Sequence, residues 1–452
     1  MDNFKAHEGH DTFAFNALFL FRNARGKTKL KVYIETYGCW LNKADSQVVE
    51  SMLKRGGHEV TNDLEEADAV VVNTCAVRAE TERKIARRLE KLEEWRRHRA
   101  NRKLVVIGCL ARARPAFIAS TSPSASILGP NAIHLILRAL HERVVDVGSD
   151  RRSVFELPTY NGSSKRLVIP VAVGCLGSCS YCIMPISRGR LSSCQPQRIL
   201  RLFVDAISKG AKEVYLVAQD LASYGLDIGT SFPELLRALL ECKGDYMIRL
   251  GMMEPSTLSA MARELIEFYF DDRVYKYLHL PMQSGSDRIL HLMNRKYTSS
   301  SFVDLVNFFR SKVDLFLATD VIVGFPTETE EDFEQTCRVL EKIAPDKVHV
   351  ARYALRPFTK AASMPQLSDH VKKERSRVLD ELVKELTLKR NLRYVGKEVE
   401  VLLTDVAPKE GLLGRMPDYR PVVVKCDRDM LWKKVTVVIE EAKPHVLLGR
   451  MA

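Results

Sequence analysis

What the chain lacks narrows its class before any motif is considered. No run of apolar residues approaches the ~18 that a helix needs to span a bilayer, so neither a spanning helix nor a membrane partner is predicted. The apolar stretch from Thr12 to Phe21 is short, follows Asp2, Glu8 and Asp11, and lacks the basic n-region of a secretory leader. Residues 1–28 are read as an N-terminal extension of unknown role. Histidine is scarce, 11 in 452 residues, and none lies near the one dense group of cysteines, so the usual completion of a structural zinc site is missing there. Acidic residues do not balance the basic ones: 57 against 69 leaves a net charge of +12, which favours a polyanionic partner. A chain of this length exceeds one ordinary core, so two to three domains are expected. Its length and composition read as intracellular, and a cytoplasmic location is expected in place of a disulfide framework.

What is present centres on Val171-Ala-Val-Gly-Cys175-Leu-Gly-Ser-Cys179-Ser-Tyr-Cys182, read as a buried strand breaking into a loop with C-x3-C-x2-C spacing. Three thiolates in one loop can hold three corners of a four-iron, four-sulfur cluster and leave the fourth iron open to a small molecule. A structural zinc site or a disulfide with a spare thiol are the competing readings. The triplet, with an aromatic residue before its last cysteine, resembles the signature of the radical S-adenosylmethionine (SAM) superfamily. That resemblance implies that the methionyl group of SAM binds the open iron and that one electron cleaves the sulfonium to a deoxyadenosyl radical.

Upstream, three apolar segments each run into a cysteine: Lys31 to Gly38 into Cys39, Ala69 to Thr74 into Cys75, and Lys103 to Gly108 into Cys109. The segments between them, Asp45 to Arg55 and Thr81 to Arg99, have helical periodicity, which gives a β-α-β-α-β pattern and a parallel sheet. Open parallel sheets place ligands beyond the carboxyl ends of their strands, so Cys39, Cys75 and Cys109 can converge on one point. That geometry argues for a second cluster; three ordinary core thiols are the bland alternative.

Glu142 to Lys165 reads as a linker, and the middle of the chain then alternates strands and helices. Strands near 213–218, 246–253, 275–281, 316–325 and 347–353 join the one before the triplet, giving six βα units and an incomplete parallel barrel. Ser368 to Arg393 is a charged amphipathic helix, and short alternating strands at 398–406, 420–425 and 433–440 predict a small β-barrel. The fold class is therefore α/β: a parallel-sheet domain over 29–147, a linker over 148–165, a partial (β/α)6 barrel over 166–385 and a small β-barrel over 386–452.

The stretch Glu35-Thr-Tyr-Gly-Cys39-Trp-Leu-Asn-Lys-Ala-Asp-Ser46, with Asn73-Thr-Cys75-Ala-Val, Gly108-Cys109-Leu-Ala-Arg112 and the central triplet, resembles the methylthiotransferase family. The resemblance runs from Lys31 to nearly the end. It implies an auxiliary 4Fe-4S cluster on Cys39, Cys75 and Cys109, a SAM-binding 4Fe-4S cluster on Cys175, Cys179 and Cys182, and a C-terminal TRAM domain that binds RNA. The first motif is most similar to the archaeal and eukaryotic branch, which places a methylthio group on N6-threonylcarbamoyladenosine at position 37 of tRNA. Implied partners are the tRNA anticodon loop, a reductant protein for the clusters and a sulfur donor. By position after the barrel strands, Gln283, Ser284 and Asp320 are candidates for SAM contacts, with Arg188 just past the triplet. In the C-terminal barrel, Lys397, Arg415, Tyr419, Arg420 and Lys425 are candidates for RNA contacts. The basic run Arg96 to Arg99 suits either a helix C-terminus or an RNA surface.

Three positions depart from the family pattern: Cys194 stands where arginine or tyrosine is common, Glu254 where asparagine is usual, and Phe358 in place of glycine in Arg356-Pro-Phe-Thr359. Cys194, Cys242, Cys337 and Cys426 are read as ordinary thiols. Open alternatives are the same reaction on isopentenyladenosine, methylthiolation of a ribosomal-protein aspartate, and a cluster-bearing RNA-binding protein without catalysis.

Overall fold

The computed structural model describes residues 29–148, 155–162 and 164–452; the extension read over 1–28 and part of the 148–165 linker lie outside the described residues. The first domain is a six-stranded, all-parallel sheet: β1 (Lys31–Thr36), β2 (Glu59–Thr61), β3 (Ala69–Thr74), β4 (Lys103–Gly108), β5 (Ser126–Leu128) and β6 (Val145–Asp146), in the order β2-β1-β3-β4-β5-β6. Every residue of β3 is buried, as expected for a central parallel strand covered on both faces. Alternate side chains serve opposite faces. Val70, Val72, Leu104 and Val106 pack with Ile85, Leu89 and Leu92 of the helix Ala79–Arg97. Val71, Val105 and Ile107 pack with Val48, Val49 and Leu53 of the helix Trp40–Arg55. The three cysteine-tipped strands are those the sequence predicts; β2, β5 and β6, at most three residues each, are too short to show a period.

The middle domain is the partial barrel. β7 (Arg166–Pro170) pairs with β10 (Glu213–Val217) and β10 with β11 (Met247–Leu250), while β12 (Tyr277–His279) pairs with β13 (Phe316–Val323) and β13 with β14 (Lys347–Arg352), all parallel. A parallel bridge between Met252 and His279 joins the two halves. The first barrel strand lies earlier than the sequence suggests: it ends at Pro170, and the run after Val171 forms a separate antiparallel pair of β8 (Ala172–Val173) with β9 (Ser192–Ser193). The Val171 N–H still bonds the Val217 carbonyl, after which the chain turns away from the barrel. The first domain covers the gap between β7 and β14. Leu41 and Ala44 of its first long helix join the barrel core, and Glu82 of its second pairs with Arg356 at 2.7 Å beyond β14.

The helix Asp369–Leu392 leads out to a closed barrel of β15 (Glu398–Val406), β16 (Leu412–Arg415), β17 (Pro421–Val424), β18 (Lys434–Lys443) and β19 (Val446–Met451), ordered β15-β16-β17-β19-β18. The turn between β16 and β17 plugs the amino-terminal end of the partial barrel. Tyr419, at φ 71°, shares a hydroxyl–hydroxyl hydrogen bond of 2.8 Å with Tyr215 and sets its ring edge-on to Tyr275 and Tyr277, each 5.0 Å away. Arg420 is 1% exposed and donates to Asp346 at 2.6 Å, to Asp418 at 3.2 Å and to Asn391. These contacts correct two sequence expectations: Tyr419 and Arg420 are read as RNA contacts, but both are committed to docking the two barrels. Burial by itself would raise the Asp346 carboxyl, yet Arg420 and Arg390 hold it below its usual value.

Removing one partner of a buried pair costs about 3–5 kcal/mol because the remaining charge stays out of water. Arg420→Met is therefore expected to lower the thermal unfolding midpoint by several degrees, whereas Lys425→Met, at an exposed residue paired only with Glu410, leaves it unchanged. Equal midpoints in calorimetry would contradict the docking role.

Candidate active site

Cys39, Cys75 and Cys109 stand at the carboxyl ends of β1, β3 and β4. Two glycines let these strand ends crowd together. Gly38 has φ +111°, and a Cβ there would lie 2.9 Å from the Cys75 Cβ and 3.1 Å from its Sγ. Gly108 has φ +98°, and a Cβ would come within 2.6 Å of the Thr74 carbonyl. Asn42 stitches the loops: its Nδ2 donates to the Tyr37 carbonyl at 2.7 Å and the Thr74 carbonyl at 3.0 Å, and its Oδ1 lies 4.0 Å from the Cys39 sulfur and 3.8 Å from that of Cys109. Cys39 is exposed while the other two are buried. Burial pushes the Cys75 thiol up and that of Cys109 up to about 11.

The second set lies beyond β8. The Gly177 N–H donates to the Cys175 sulfur at 3.2 Å, the Met184 N–H to the Cys182 sulfur at 3.4 Å, and Arg295 Nη1 to the Cys179 sulfur at 3.2 Å. A Cβ on Gly177 would sit 3.2 Å from the Cys175 sulfur and 3.9 Å from that of Cys179, so the glycine keeps the bowl of the loop clear. Burial raises Cys175 to about 11 and Cys182 to about 12. The N–H donors to the Cys175 and Cys182 sulfurs offset part of that burial and favour the thiolate, the form that would ligate iron. Both sets fit the groups that the sequence implies.

Arg188 connects them. It closes the short helix Met184–Arg188, is fully buried, and reaches across to the first domain. Its Nε donates to the Cys109 sulfur at 3.2 Å, its Nη1 to Asp45 at 2.5 Å and its Nη2 to Asn42 Oδ1 at 2.6 Å. The sequence assigns Arg188 to SAM beside the triplet; the structure places its guanidinium at the other cysteine set, because the chain runs from Cys182 directly into the domain interface.

The other SAM candidates divide. Gln283, at φ 67°, is fixed by its backbone, donating to the Asp320 carbonyl at 2.8 Å, and its side chain makes no hydrogen bond among the described residues. Ser284 is 1% exposed, with its hydroxyl 3.3 Å from Thr336 Oγ1 and accepting from the Ser286 N–H, so it is a turn residue and not a ligand contact. Asp320 bonds His279 Nε2 at 2.6 Å. His279, Asp320 and His349 bring ligand-type atoms within 4.8 Å of one another. Burial lowers His349 to about 4 against the opposing pull of Asp320, so its imidazole stays neutral at pH 7. Residues that sequence reading gave no role are Asn42, buried inside a quoted motif, and Arg295, whose position after the helix Asp287–Leu292 carries no pattern. Arg295 also pairs with Glu254 at 3.1 Å, and the Glu254 N–H donates to Asp220, whose carboxyl burial raises to about 6. Of the RNA candidates, Lys397 and Lys425 are exposed, and Arg415 stacks its guanidinium 4.5 Å from the Tyr419 ring.

Comparisons with known proteins point to one family. Residues 31–129 match a family described as "Uncharacterized protein family UPF0004", 169–340 the radical SAM superfamily and 392–452 the TRAM domain. A protein of Methanocaldococcus jannaschii named "Probable threonylcarbamoyladenosine tRNA methylthiotransferase" is 40% identical over 93% of this chain and 97% of its own. One of the same name from Pyrococcus abyssi is 39% identical over 87% and 93%. A tRNA-2-methylthio-N(6)-dimethylallyladenosine synthase of Caldicellulosiruptor saccharolyticus is 36% identical over 96% and 95%. Among solved structures, the radical SAM methyltransferase TsrM of Kitasatospora setae aligns over 74% of this chain and 77% of its own with a TM-score of 0.56 at 14% identity, a likeness of fold alone.

Thiol reactivity follows exposure and thiolate fraction. In metal-free protein at pH 7, iodoacetamide is expected to label Cys39 first and Cys109 at least about tenfold more slowly, with the Cys109 rate rising as pH approaches 11. Peptide mass spectrometry over time checks the order; labelling of Cys109 as fast as Cys39 would contradict it.

Proposed function

Because the chain belongs to the radical SAM methylthiotransferase family, we propose that it converts N6-threonylcarbamoyladenosine at position 37 of tRNA to its 2-methylthio derivative. The observation that carries the reading is the presence of two three-cysteine sets either side of one domain interface, with Arg188, six residues past Cys182, donating to the Cys109 sulfur. Cys175, Cys179 and Cys182 would hold the SAM-binding cluster, and Cys39, Cys75 and Cys109 the auxiliary one. When bound, SAM and the two clusters supply the one-electron chemistry and the methylated sulfur needed to functionalise the C2–H bond of an adenine. The chain's own residues position and shield. Gln283 offers a free amide at a strand end. Arg295 and Arg188 place positive charge against Cys179 and Cys109. The target base must leave its stack to reach the gap of the partial barrel.

One observation favours the threonylcarbamoyl substrate over the isopentenyl one. The barrel interior holds Arg249, 6% exposed, whose guanidinium lies over the Tyr215, Tyr277 and Tyr419 rings and whose one side-chain hydrogen bond among the described residues is 3.1 Å to the Tyr277 hydroxyl. Lys347 lies close enough to Arg249 and Arg415 for their charges to act with burial in lowering its ammonium. None of the three has a carboxylate within ion-pair distance among the described residues, although Asp405 and Asp320 lie within electrostatic reach of Arg415 and Lys347. A lumen whose cations lack a directly paired carboxylate suits a substrate carboxylate and opposes an apolar isoprenoid. Residues 29–147, 166–385 and 386–452 would serve as auxiliary-cluster, radical and RNA-binding domains, with the exposed Lys397 and Lys425 toward the tRNA and Arg415 held on the Tyr419 ring. A reductant protein, a sulfur donor and a cytoplasmic setting complete the reading. No helix among the described residues is long and apolar enough to cross a membrane.

Anaerobically reconstituted protein is expected to hold about eight irons, falling to about four when Cys175, Cys179 and Cys182 are alanine. It should add a methylthio group to tRNA bearing the threonylcarbamoyl base, and Lys347→Met should slow that reaction about tenfold or more. Nucleoside mass spectrometry checks the product. Equal conversion of the isopentenyl base would overturn the branch, and four irons in the wild type would remove the second cluster.

A further inference from the structure

The loop after β14 contains a residue that the folded chain does not use. Phe358 adopts φ +66°, a left-handed conformation that favours glycine, and its side chain is 83% exposed with no ring partner among the described residues. The strain and the exposed aromatic surface are both unfavourable for folding, and no ring or cation–π contact among the described residues offsets them.

Its surroundings give it a place. Arg356, 6% exposed, donates Nη2 to the Val77 carbonyl at 2.8 Å and Nη1 to Glu82 at 2.7 Å, which fastens one side of the loop two residues beyond Cys75. On the other side, the Ala361 N–H donates to the Ser180 carbonyl at 2.8 Å, between Cys179 and Cys182. Thr359 bonds back to the Arg356 carbonyl through its hydroxyl at 2.8 Å, so the turn carrying Phe358 is held from within. Phe358 thus stands on a rigid strap tied to both cysteine loops. Exposed Val77, Leu355 and Leu176, at 53%, 50% and 58%, belong to the strap and the two loops it ties. Arg78 and Lys360 are exposed and have no ion-pair partner among the described residues. A fixed aromatic face beside unpaired cations suits an unpaired nucleobase with its phosphate better than an apolar protein surface.

We propose that Phe358 is a stacking platform for an unpaired base of the RNA loop next to the target base, holding that loop over the gap between the two cysteine sets. The inference rests on the RNA substrate proposed above. The geometry explains why the aromatic ring is presented on a strained backbone: the left-handed turn lifts it off the strap, where no intramolecular packing competes for it.

The test uses full-length reconstituted protein and an anticodon stem-loop with 2-aminopurine beside the target position. For Phe358→Gly, the expected result is an unfolding midpoint equal to or above wild type, with affinity for the stem-loop weakened about 5- to 150-fold, the range that loss of one stacked base produces. The quenching of 2-aminopurine on binding should also be lost, while Phe358→Trp retains affinity within about threefold and retains quenching. Wild-type affinity and quenching in Phe358→Gly would overturn the proposal, and so would a lowered unfolding midpoint, which would mean that the ring packs within the fold. If wild-type protein itself fails to bind the stem-loop, the RNA reading fails and takes this inference with it.

Discussion

A guanidinium enclosed without water must find its counter-charge and its acceptors in the protein, and Arg188 finds them in a different domain from its own. Asp45 supplies the charge, Asn42 the amide oxygen and Cys109 the sulfur. Satisfying that one side chain brings the helix after the central triplet against the strand ends of the first sheet. Together with Leu41 and Ala44 in the barrel core and Glu82 on Arg356, it sets the relative placement of the two cysteine sets, which no short run of chain joins. Asn42 serves both purposes: its Nδ2 ties the loops after β1 and β3, and its Oδ1 receives Arg188. The same contacts put a positive charge where a deprotonated cysteine, costly in a buried site, needs one.

The third domain is attached by a similar logic at the opposite end of the partial barrel. Asp346, fully enclosed, is met by Arg420 at 2.6 Å and Arg390 at 2.5 Å, and Arg166 pairs with Glu213 at 2.6 Å and Asp405 at 2.8 Å. Around these ion pairs sit Tyr215, Tyr275, Tyr277 and Tyr419, whose rings seal the floor of the lumen. A charged and aromatic interface of this kind fixes orientation more strictly than apolar contact, because each hydrogen bond is directional. The small barrel is therefore held rigidly enough to present its exposed lysines in a fixed relation to the cleft.

Much of the fold was legible because each signal was local. The five later barrel strands and the helices between them follow from apolar runs and periodicity, and the C-x3-C-x2-C loop is contiguous. The first barrel strand, five residues ending at Pro170, is placed too late by the sequence because the apolar run continues past it. The misses among the site residues share a cause: they concern where a side chain ends up after distant segments meet. Tyr419 and Arg420, in a basic and aromatic turn, look like an RNA surface until the turn is seen to enter the lumen. Ser284 looks like a ligand contact until Thr336 and Ser286 close over it. Arg295 carries no sequence signal at all, since its role comes from lying 3.2 Å from a sulfur 116 positions away.

By itself the sequence determined the family, the strand ends that carry Cys39, Cys75 and Cys109, the loop that carries Cys175, Cys179 and Cys182, and the order of the three domains. These depend on spacing and on hydrophobic period, which are properties of neighbouring residues. Only the tertiary structure decided which charges are neutralised and which are left for a ligand. Arg188, Arg420 and Arg249 are indistinguishable as letters, yet one grips a cysteine sulfur, one locks two barrels together and one lies in the lumen with no carboxylate partner among the described residues. Electrostatic role is set by distance and burial, and those exist only once the chain has folded.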